Sequence, residues 1–319
     1  MGSAKKKSGG MSFKTRLGLI VFVLIFTATF VVWLLNRLGI VTYDDLMIRA
    51  GLKEKPAVSP VFQIHFVDVG QGDCTVVICG GQVMVIDSGD RDDSNRAIGY
   101  LRSLGIRDID YLIATHPHAD HIGEMAEIIN GFNVKKFIMP RSPDELIPTT
   151  RSYEEMLDAL SAKGMKITAA SDTSFSFGEH EECRADLITS HLENADDLNN
   201  YSVLVRLTHG DNSFLVTGDC EKEEEADILS RGTDLRAKVL RAGHHGSSTS
   251  STAEFLDAVD PKYAVISCGL HNDYGHPNKT TVNRLAKYAD KIYVTAEVGS
   301  VVFTSDGEGL SIETRKTGK

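Results

Sequence analysis

Three histidines and one aspartate lie within a stretch of six residues that directly follows an apolar run. The four residues are His116, His118, Asp120 and His121, and the run of Tyr, Leu, Ile and Ala before them occupies residues 111–114. Such a short apolar run is typical of a buried strand, so the cluster is predicted to occupy the loop at its end. Imidazole nitrogens and carboxylate oxygens are ligands that zinc and related divalent cations prefer. The pattern therefore predicts a fold in which a strand end presents a metal site.

A second candidate ligand follows another predicted strand. The apolar residues 214–217 run directly into Gly218 and Asp219. Asp219 has two open interpretations at this point. It is either a carboxylate shared by two metal ions or the cap of the helix predicted over residues 221–231.

Adjacent histidines follow a third predicted strand, which ends at residue 241. His244 and His245 lie between glycines and precede the hydroxyl-bearing residues Ser247 and Ser248. Hydroxyl groups can bind an anion, and one of them can also cap the next helix. The segment is therefore a second candidate source of ligands and of substrate contacts.

Two further strand ends carry one relevant polar residue each. His276 lies between Gly275 and Pro277, where it either contacts substrate or caps the helix predicted over residues 280–288. Asp87 ends the strand predicted over residues 82–86. A buried carboxylate there is expected to accept a hydrogen bond from a ligand histidine and to orient its ring.

Apolar periodicity and turn residues predict one large domain of mixed structure over residues 61–319. Strands are predicted over residues 62–69, 73–79, 82–86, 111–114, 135–139, 201–207, 213–217, 237–241 and 263–267, and helices over 94–104, 122–129, 153–163, 221–231, 252–259 and 280–288. Two β-rich halves with helices between their strands predict an α+β fold of two packed sheets flanked by helices.

The N-terminus differs from the rest of the chain because residues 17–35 contain no charged side chain. At a rise of about 1.5 Å per residue, this stretch approaches the thickness of a bilayer core, about 30 Å. Basic residues dominate on its N-terminal side, so the N-terminus is expected to be cytoplasmic. The predicted order is a cytoplasmic basic tail (1–16), a transmembrane anchor (17–37), a stalk (38–60) and an extracytoplasmic domain (61–319). A cleaved signal peptide is the alternative, which the length of the run and its bulky C-terminal flank disfavour.

The predicted outer part of the chain is strongly acidic. Six of the 34 basic residues and none of the 44 acidic residues lie in residues 1–40, which leaves a formal net charge of −16 for the remainder. A field of this sign disfavours binding of long nucleic acid by overall attraction, although a local cleft could still bind a phosphodiester. The five cysteines match no zinc or redox spacing, and no disulfide framework is expected.

These motifs, in this order, resemble the metallo-β-lactamase superfamily, and especially its ComEC-type branch of competence-protein metallohydrolase domains. The narrower resemblance is carried by FVDVGQGD at residues 66–73, TGD ending at Asp219, HHGS at 244–247 and YGHP at 274–277. It covers about residues 61–305. The resemblance implies an αββα sandwich with metal ions at one edge of the sheets.

The resemblance also implies one or two divalent ions, expected to be Zn²⁺ with Mn²⁺ as an alternative. His116 and His118 would hold the first ion, and Asp219 would bridge the two. Asp120, His121 and one histidine of the 244–245 pair would hold the second. His245 is expected to be that ligand, and His244 to contact the substrate or the leaving group.

The chain departs from the wider superfamily at the first ion. A histidine that usually completes this site is absent, and the corresponding segment is Asn199-Asn200-Tyr201-Ser202. The first site is therefore weaker, open, or completed by Asn199 or water. Asn199 and Ser202 are also candidate substrate contacts.

The expected activity is metal-dependent hydrolysis of a phosphodiester by a hydroxide that the metal activates. Asp120 would orient the hydroxide, and His244, His276, Ser247 and Ser248 would bind the phosphate. Expected substrates are DNA or nucleotides, or phosphodiester polymers of the cell envelope. The N-terminal helix is expected to contact the membrane, and the sequence does not identify a protein partner. The alternatives are a lactone, thioester or β-lactam hydrolase, and a non-catalytic binding module on the same fold. With one predicted span, the chain is not expected to form a channel.

Overall fold

The computed structural model of the chain describes residues 13–37, 47, 62–91, 96–178 and 182–316. The chain divides into two units, residues 1–55 and 56–319, and each is described by itself. In the first unit, helix α1 (Phe13–Arg37) covers the predicted anchor. Within the described ranges, no helix meets both the length and the hydropathy that crossing a membrane requires. The anchor therefore stays a prediction, and the predicted stalk lies outside the described residues except for Met47.

The second unit contains seventeen strands and eight α-helices within its described residues, besides three short 3-10 helices. The strands are β1 (Phe62–Phe66), β2 (Thr75–Cys79), β3 (Gln82–Ile86), β4 (Asp108–Ile109), β5 (Tyr111–Ile113), β6 (Asn133–Val134), β7 (Phe137–Met139), β8 (Ile167–Ala169), β9 (Thr173–Phe177), β10 (Cys183–Ile188), β11 (Leu204–His209), β12 (Asn212–Val216), β13 (Val239–Arg241), β14 (Tyr263–Ile266), β15 (Lys291–Val294), β16 (Ser300–Ser305) and β17 (Leu310–Arg315). The helices are α2 (Arg96–Ser103), α3 (Ala119–Ile122), α4 (Met125–Gly131), α5 (Arg151–Ala162), α6 (Lys222–Ser230), α7 (Ala253–Val259), α8 (Lys279–Leu285) and α9 (Thr295–Val298).

Each of the two large sheets combines a run of antiparallel strands with a run of parallel strands. The first has eight strands in the order β17-β16-β1-β2-β3-β5-β7-β8, and the second has seven in the order β15-β14-β13-β12-β11-β10-β9. In the first sheet the pairs from β17 to β3 are antiparallel, and β3, β5, β7 and β8 are parallel to their neighbours. In the second sheet β12 to β15 are parallel and β9 to β12 antiparallel. Each sheet therefore sends several parallel strands to a common edge, where ligand-bearing loops are expected.

The two sheets pack face to face over one apolar core. Ile64 and Met84 from the first sheet belong to the same buried cluster as Val205 and Phe214 from the second. A second cluster joins the outer face of the first sheet to α2, α4 and α5, and a third joins the outer face of the second sheet to α6, α7 and α8. Alternate side chains of each strand thus enter different cores, as the two-residue repeat of a strand requires. The order helix, sheet, sheet, helix confirms the predicted αββα architecture.

The helix after the histidine cluster differs from the prediction over residues 122–129. The structure has two short helices, α3 and α4, that are separated at Gly123 and Glu124. A Cβ atom on Gly123 would lie 2.2 Å from the backbone nitrogen of Arg91. The Gly123 amide also donates to the carbonyl oxygen of Gly89 at 2.8 Å. This close approach of two backbones lies between segments far apart in sequence, so the local pattern did not reveal it.

Candidate metal centre

Four buried or partly buried side chains from both sheets converge on one point. Ligand-type atoms of Asp120, His121, Asp219 and His245 all lie within 4.8 Å of one another. Nε2 of His121 lies 3.2 Å from Oδ1 of Asp219. Nε2 of His245 lies 3.1 Å from Oδ2 of Asp120 and 3.4 Å from Oδ2 of Asp219. Two imidazoles and two carboxylates at this spacing can bind a single divalent cation.

The backbone brings Asp219 to this point through a glycine with a positive φ. Gly218 follows β12 at φ +53°, and a Cβ atom there would lie 2.8 Å from the side chain of Thr115. The amide of Asp219 donates to the hydroxyl of Ser202 at 3.1 Å. Helix α6 has Glu221 at its N-cap position, so Asp219 does not cap that helix. The sequence Thr-Gly-Asp thus allows the carboxylate to approach the histidine loop of the other sheet.

Asp87 fixes the ring of His121. Its Oδ2 accepts a hydrogen bond from Nδ1 of His121 at 2.8 Å and another from the hydroxyl of Thr115 at 2.7 Å. Its Oδ1 accepts from the amide of Thr115 at 2.8 Å. Since Nδ1 carries the proton, Nε2 of His121 is left facing the centre, in the tautomer that a metal ligand needs.

A backbone carbonyl fixes His245 in the same way. Nδ1 of His245 donates to the carbonyl oxygen of Ser267, which follows β14, at 2.9 Å. Nε2 is then the nitrogen that faces Asp120 and Asp219. Between the two adjacent histidines, it is His245 that belongs to the four-residue cluster.

The sequence did not predict that a fully buried arginine lies beside the centre. Arg241, at the end of β13, forms an ion pair with Asp73 and donates to the carbonyl oxygen of Gly218. Its Nη1 also lies 3.6 Å from Oδ1 of Asp219. A charged residue that ends an apolar strand is seldom buried without a partner. No signal in the sequence indicated that Asp73 of the FVDVGQGD motif is this partner, because the two residues are far apart along the chain.

His116 and His118 form a second group of ligand-type atoms beside Asp219. Nε2 of His116 lies 3.1 Å from Nδ1 of His118 and 4.0 Å from Oδ2 of Asp219. The Asp219 carboxylate therefore reaches both groups of histidines. Asn199 is buried, and its side-chain oxygen has no hydrogen-bond partner among the described residues.

His244 and His276 lie at the border of the centre. Nδ1 of His244 forms a 2.9 Å hydrogen bond with Oε1 of Glu221, and Nε2 lies 3.8 Å from Oδ2 of Asp219. The ring of His276 lies 5.4 Å from that of His244 and 6.1 Å from that of His245, between centroids. Helix α8 is capped by Asn278, whose side chain accepts from the amide of Thr280, and not by His276.

The predicted serine contacts have different surroundings. Ser202 is buried, and its hydroxyl accepts the amide of Asp219. Ser247 is also buried, and its hydroxyl is within 3.0 Å of the hydroxyl of Thr249. Ser248 is exposed on the turn after His245. Ser202 and Ser247 therefore take part in holding the loops of the centre.

The electrostatics of the centre reflect its crowded carboxylates. Burial favours the neutral acid, but the neighbouring His121 and His245 hold the pKa of Asp219 well below its usual range. Burial would lower the pKa of His121, yet Asp219 and Asp87 raise it well above the ordinary value. Burial would also lower the pKa of His245, but the carboxylates of Asp219 and Asp120 raise it to about 9. The carboxylates thus attract positive charge into the centre, which a cation would supply when bound.

Unpaired buried atoms test whether this donor set fits a metal. Nε2 of His121 and Oδ1 of Asp219 are both buried and have no hydrogen-bond partner among the described residues. They lie 3.2 Å apart. Buried polar atoms are almost always paired, and these two can pair with each other only when both ring nitrogens of His121 are protonated. With Nε2 unprotonated, both atoms need a further partner. A divalent cation fits, because it would accept electron pairs from both.

Comparison with known proteins agrees with this assignment. Residues 67–270 match the family model of the metallo-β-lactamase superfamily. The chain is 26% identical to ComE operon protein 3 of Bacillus subtilis over 309 residues, which cover 89% of this chain and 39% of that protein. It is 29% identical to competence protein ComA of Neisseria gonorrhoeae over 290 residues, covering 89% and 38%. The chain thus spans under two-fifths of the length of these relatives.

A solved structure shows the same fold with little sequence identity. CmlA, a diiron β-hydroxylase from Streptomyces venezuelae, superposes with a TM-score of 0.50 at 15% identity, covering 78% of this chain and 57% of that one. Because CmlA is a diiron protein, the fold alone does not select zinc.

Proposed function

The chain belongs to the metallo-β-lactamase superfamily, whose members are generally metal-dependent hydrolases, and we propose that this one hydrolyses phosphodiesters. The observation that carries the proposal is the convergence of Asp120, His121, Asp219 and His245, with two of their buried atoms unpaired. His116 and His118 would hold a second ion, which Asp219 would share. Zn²⁺ is the proposed metal, with Mn²⁺ as the alternative.

The bound cation would supply a hydroxide near neutral pH and would offset the negative charge of the phosphate. Hydrolysis would form a P–O bond to the oxygen of the attacking water and break the P–O bond to the leaving alcohol. The carboxylate of Asp120, which is about one-quarter exposed, accepts a hydrogen bond from the attacking group and orients it. The products are a phosphomonoester and an alcohol.

The leaving oxygen must gain a proton, and His244 is suited to provide it. Glu221 accepts a hydrogen bond from Nδ1 of His244 at 2.9 Å, which leaves Nε2 turned toward the centre. Despite its burial, hydrogen bonds from His244 and Thr249 keep the pKa of Glu221 below the ordinary value, so it stays ionised. We therefore assign proton donation to Nε2 of His244.

His276 is assigned a different task. Burial, together with the nearby His245 and His244, lowers the pKa of His276 to about 4. It is therefore neutral at pH 7 and can donate one hydrogen bond to a phosphate oxygen without adding charge. The imidazoles of His244 and His276 border the same point of the centre. Both can donate hydrogen bonds to the oxygens of a tetrahedral, anionic phosphate, so a phosphodiester is proposed in preference to a substrate with a planar carbonyl.

We further propose that the chain is a single-pass protein of the cell membrane with its hydrolase domain outside. The uncharged stretch of residues 17–35 and the basic residues before it support this topology. Of the two relatives, the one from Neisseria gonorrhoeae is named competence protein ComA. A substrate among nucleic acids or nucleotides is therefore proposed first, and an envelope phosphodiester polymer second.

The test uses the full chain, purified in mild detergent and stripped of metal with a chelator. Addition of Zn²⁺ or Mn²⁺ should restore hydrolysis of bis-p-nitrophenyl phosphate. Asp120→Asn and His121→Ala should each abolish turnover while leaving the circular dichroism spectrum unchanged. His191→Ala is the matched control, because this histidine is half exposed and forms its ion pair with Asp172.

Three results would contradict the proposal. Turnover of lactones, thioesters or β-lactams without phosphodiesters would make the chain a different hydrolase. Metal binding without turnover of any ester would make it a binding module. Full activity of either variant of Asp120 or His121 would put the reaction elsewhere.

A further inference from the structure

An exposed tyrosine stands at the end of a row of rings that leads to the metal centre. The side chain of Tyr274 is 71% exposed. Its ring stacks on that of His276 with a centroid distance of 5.8 Å and an interplanar angle of 21°. His276 in turn lies nearly parallel to His245, at 6.1 Å and 30°. The row thus runs from a flat surface in solvent to a buried candidate ligand.

The loop that carries this tyrosine is held by one side chain. The Nδ2 group of Asn272 donates to the carbonyl oxygens of Gly269 at 2.9 Å and His276 at 2.6 Å. Its Oδ1 accepts from the amides of Tyr274 at 3.2 Å and His276 at 2.9 Å. Four hydrogen bonds from one amide side chain fix the loop before any ligand arrives, which reduces the entropy lost on binding.

The same loop is anchored to the other sheet. The amide of Gly269 donates to Oε1 of Gln71 at 3.1 Å. A Cβ atom on Gly269 would lie 2.8 Å from the backbone nitrogen of Gln71, so the two backbones are in close contact. The exposed ring therefore projects from a rigid support and not from a free loop.

We propose that Tyr274 is a specificity-determining residue, the ring on which a nucleobase next to the scissile phosphodiester stacks. The inference rests on the proposed function, since it names the substrate class of that same centre. A nucleobase offers a flat π-face to a flat ring whichever base it is, so this contact favours nucleotides without reading their sequence. Leu270, 68% exposed on the same loop, adds apolar surface to it.

The charge of the domain explains why such a surface is needed. Residues 41–319 carry a formal charge of −16, so attraction between the protein field and a nucleic-acid backbone is unfavourable. Stacking depends little on salt, whereas contacts to phosphates weaken steeply as salt rises. The affinity for nucleotides is therefore expected to change less with salt than that of a basic nucleic-acid-binding protein.

The experiment uses the full chain in detergent and measures oligonucleotide binding and phosphodiester hydrolysis in separate assays. A short fluorescent single-stranded oligodeoxynucleotide is compared with an abasic oligomer of the same length. Tyr274→Ala should weaken binding of the base-bearing oligomer about 5- to 100-fold, as loss of one base–aromatic stack predicts, and leave the abasic oligomer unaffected. Tyr274→Phe keeps the ring and should bind as the wild type does.

Each outcome decides one of the two proposals. Unchanged binding of the base-bearing oligomer by Tyr274→Ala overturns the inference, as does an equal loss for both oligomers. A selective loss for poly(glycerol phosphate) would assign the ring to envelope polymers and would also overturn it. If the wild type hydrolyses no phosphodiester yet shows base binding that depends on Tyr274, the proposed function fails, and Tyr274 is the base-stacking residue of a nucleotide-binding module.

Discussion

Replacing Arg241 with methionine should destabilise the domain more than any other substitution that preserves side-chain volume beside the metal centre. Arg241 is fully buried, and its ion-pair partner Asp73 is 1% exposed. The substitution leaves the charge of Asp73 without compensation. Asp73 also lies with Asp87 and His121 in a group whose ligand-type atoms are within 4.8 Å of one another. The buried carboxylates of Asp73 and Asp87 then repel each other without the guanidinium beside them.

The magnitude follows from the burial of the pair. Removal of one partner of a buried ion pair costs about 3–5 kcal/mol of unfolding free energy. For a domain of this size, each kcal/mol corresponds to about 2–4 °C in melting temperature. Arg241→Met should therefore lower the melting temperature of the metal-free protein by about 6–20 °C.

The double variant Asp73→Asn/Arg241→Met should recover at least half of this loss, because no buried charge remains unpaired. The carbonyl oxygen of Gly218 loses the guanidinium in both variants but keeps the amide of His244 at 3.2 Å. The expected coupling between the two positions is therefore electrostatic. It is measured as a double-mutant cycle from thermal unfolding followed by circular dichroism.

Arg206→Met is the matched control. Arg206 is 14% exposed and contacts two carboxylates, those of Asp186 in β10 at 3.4 Å and of Asp234, in the segment before β13, at 3.5 Å. Partly exposed pairs contribute about 0–1 kcal/mol, so the control should melt within about 4 °C of the wild type. A melting temperature of Arg241→Met within 2 °C of the wild type, or a double variant less stable than the single one, would refute the reasoning.

Three further predictions concern stability, catalysis and topology. Burial and Arg315 lower the pKa of His65 to about 3, so the unfolded chain binds more protons between pH 3 and 6.5 and stability falls as the pH falls. Between pH 7 and pH 5 this residue should remove about 2 kcal/mol, a slope that denaturant titrations of His65→Leu should lack. Glu221→Gln should lower kcat about 10- to 100-fold with little change in KM in steady-state assays, because His244 loses its orienting carboxylate; an unchanged kcat would remove this role. Protease added to intact cells should release the domain of residues 61–319, whereas protection would contradict the proposed topology.

The pair of packed sheets could be predicted because their central strands have clear apolar patterns. β2 is buried along its whole length and β3 from its second residue on, both alternate between two cores, and glycines mark the turn between them. No strand was predicted in the segment from β8 to β10. Strands β8 and β9 lie at the edges of the two sheets and their side chains are largely exposed, so they show little apolar repeat, whereas β10 lies inside its sheet and is mostly buried. Edge strands are fixed by hydrogen bonds to a neighbour, which the local sequence does not record.

The candidate ligands could be identified from the sequence, since each lies at the end of a strand with an apolar pattern. The apolar pattern could not predict which residues of one sheet contact residues of the other. The choice of His245 over His244 in the cluster follows from the carbonyl oxygen of Ser267, which comes from a different strand. Arg241 was missed because a charged residue at a strand end normally indicates exposure, and only the fold reveals Asp73 beside it.

The position of the centre follows from the way the two sheets are built. Each sheet alone presents an incomplete set, with Asp87, Asp120 and His121 from the first and Asp219 and His245 from the second. Carboxylates from opposite sheets repel one another, so the edge of the sandwich would separate without positive charge between them. Arg241 supplies one fixed charge, and either protons on His121 and His245 or a bound cation would supply the remainder. Metal binding and the association of the two sheets at this edge are therefore expected to be coupled, and loss of the metal should loosen this edge before the apolar core.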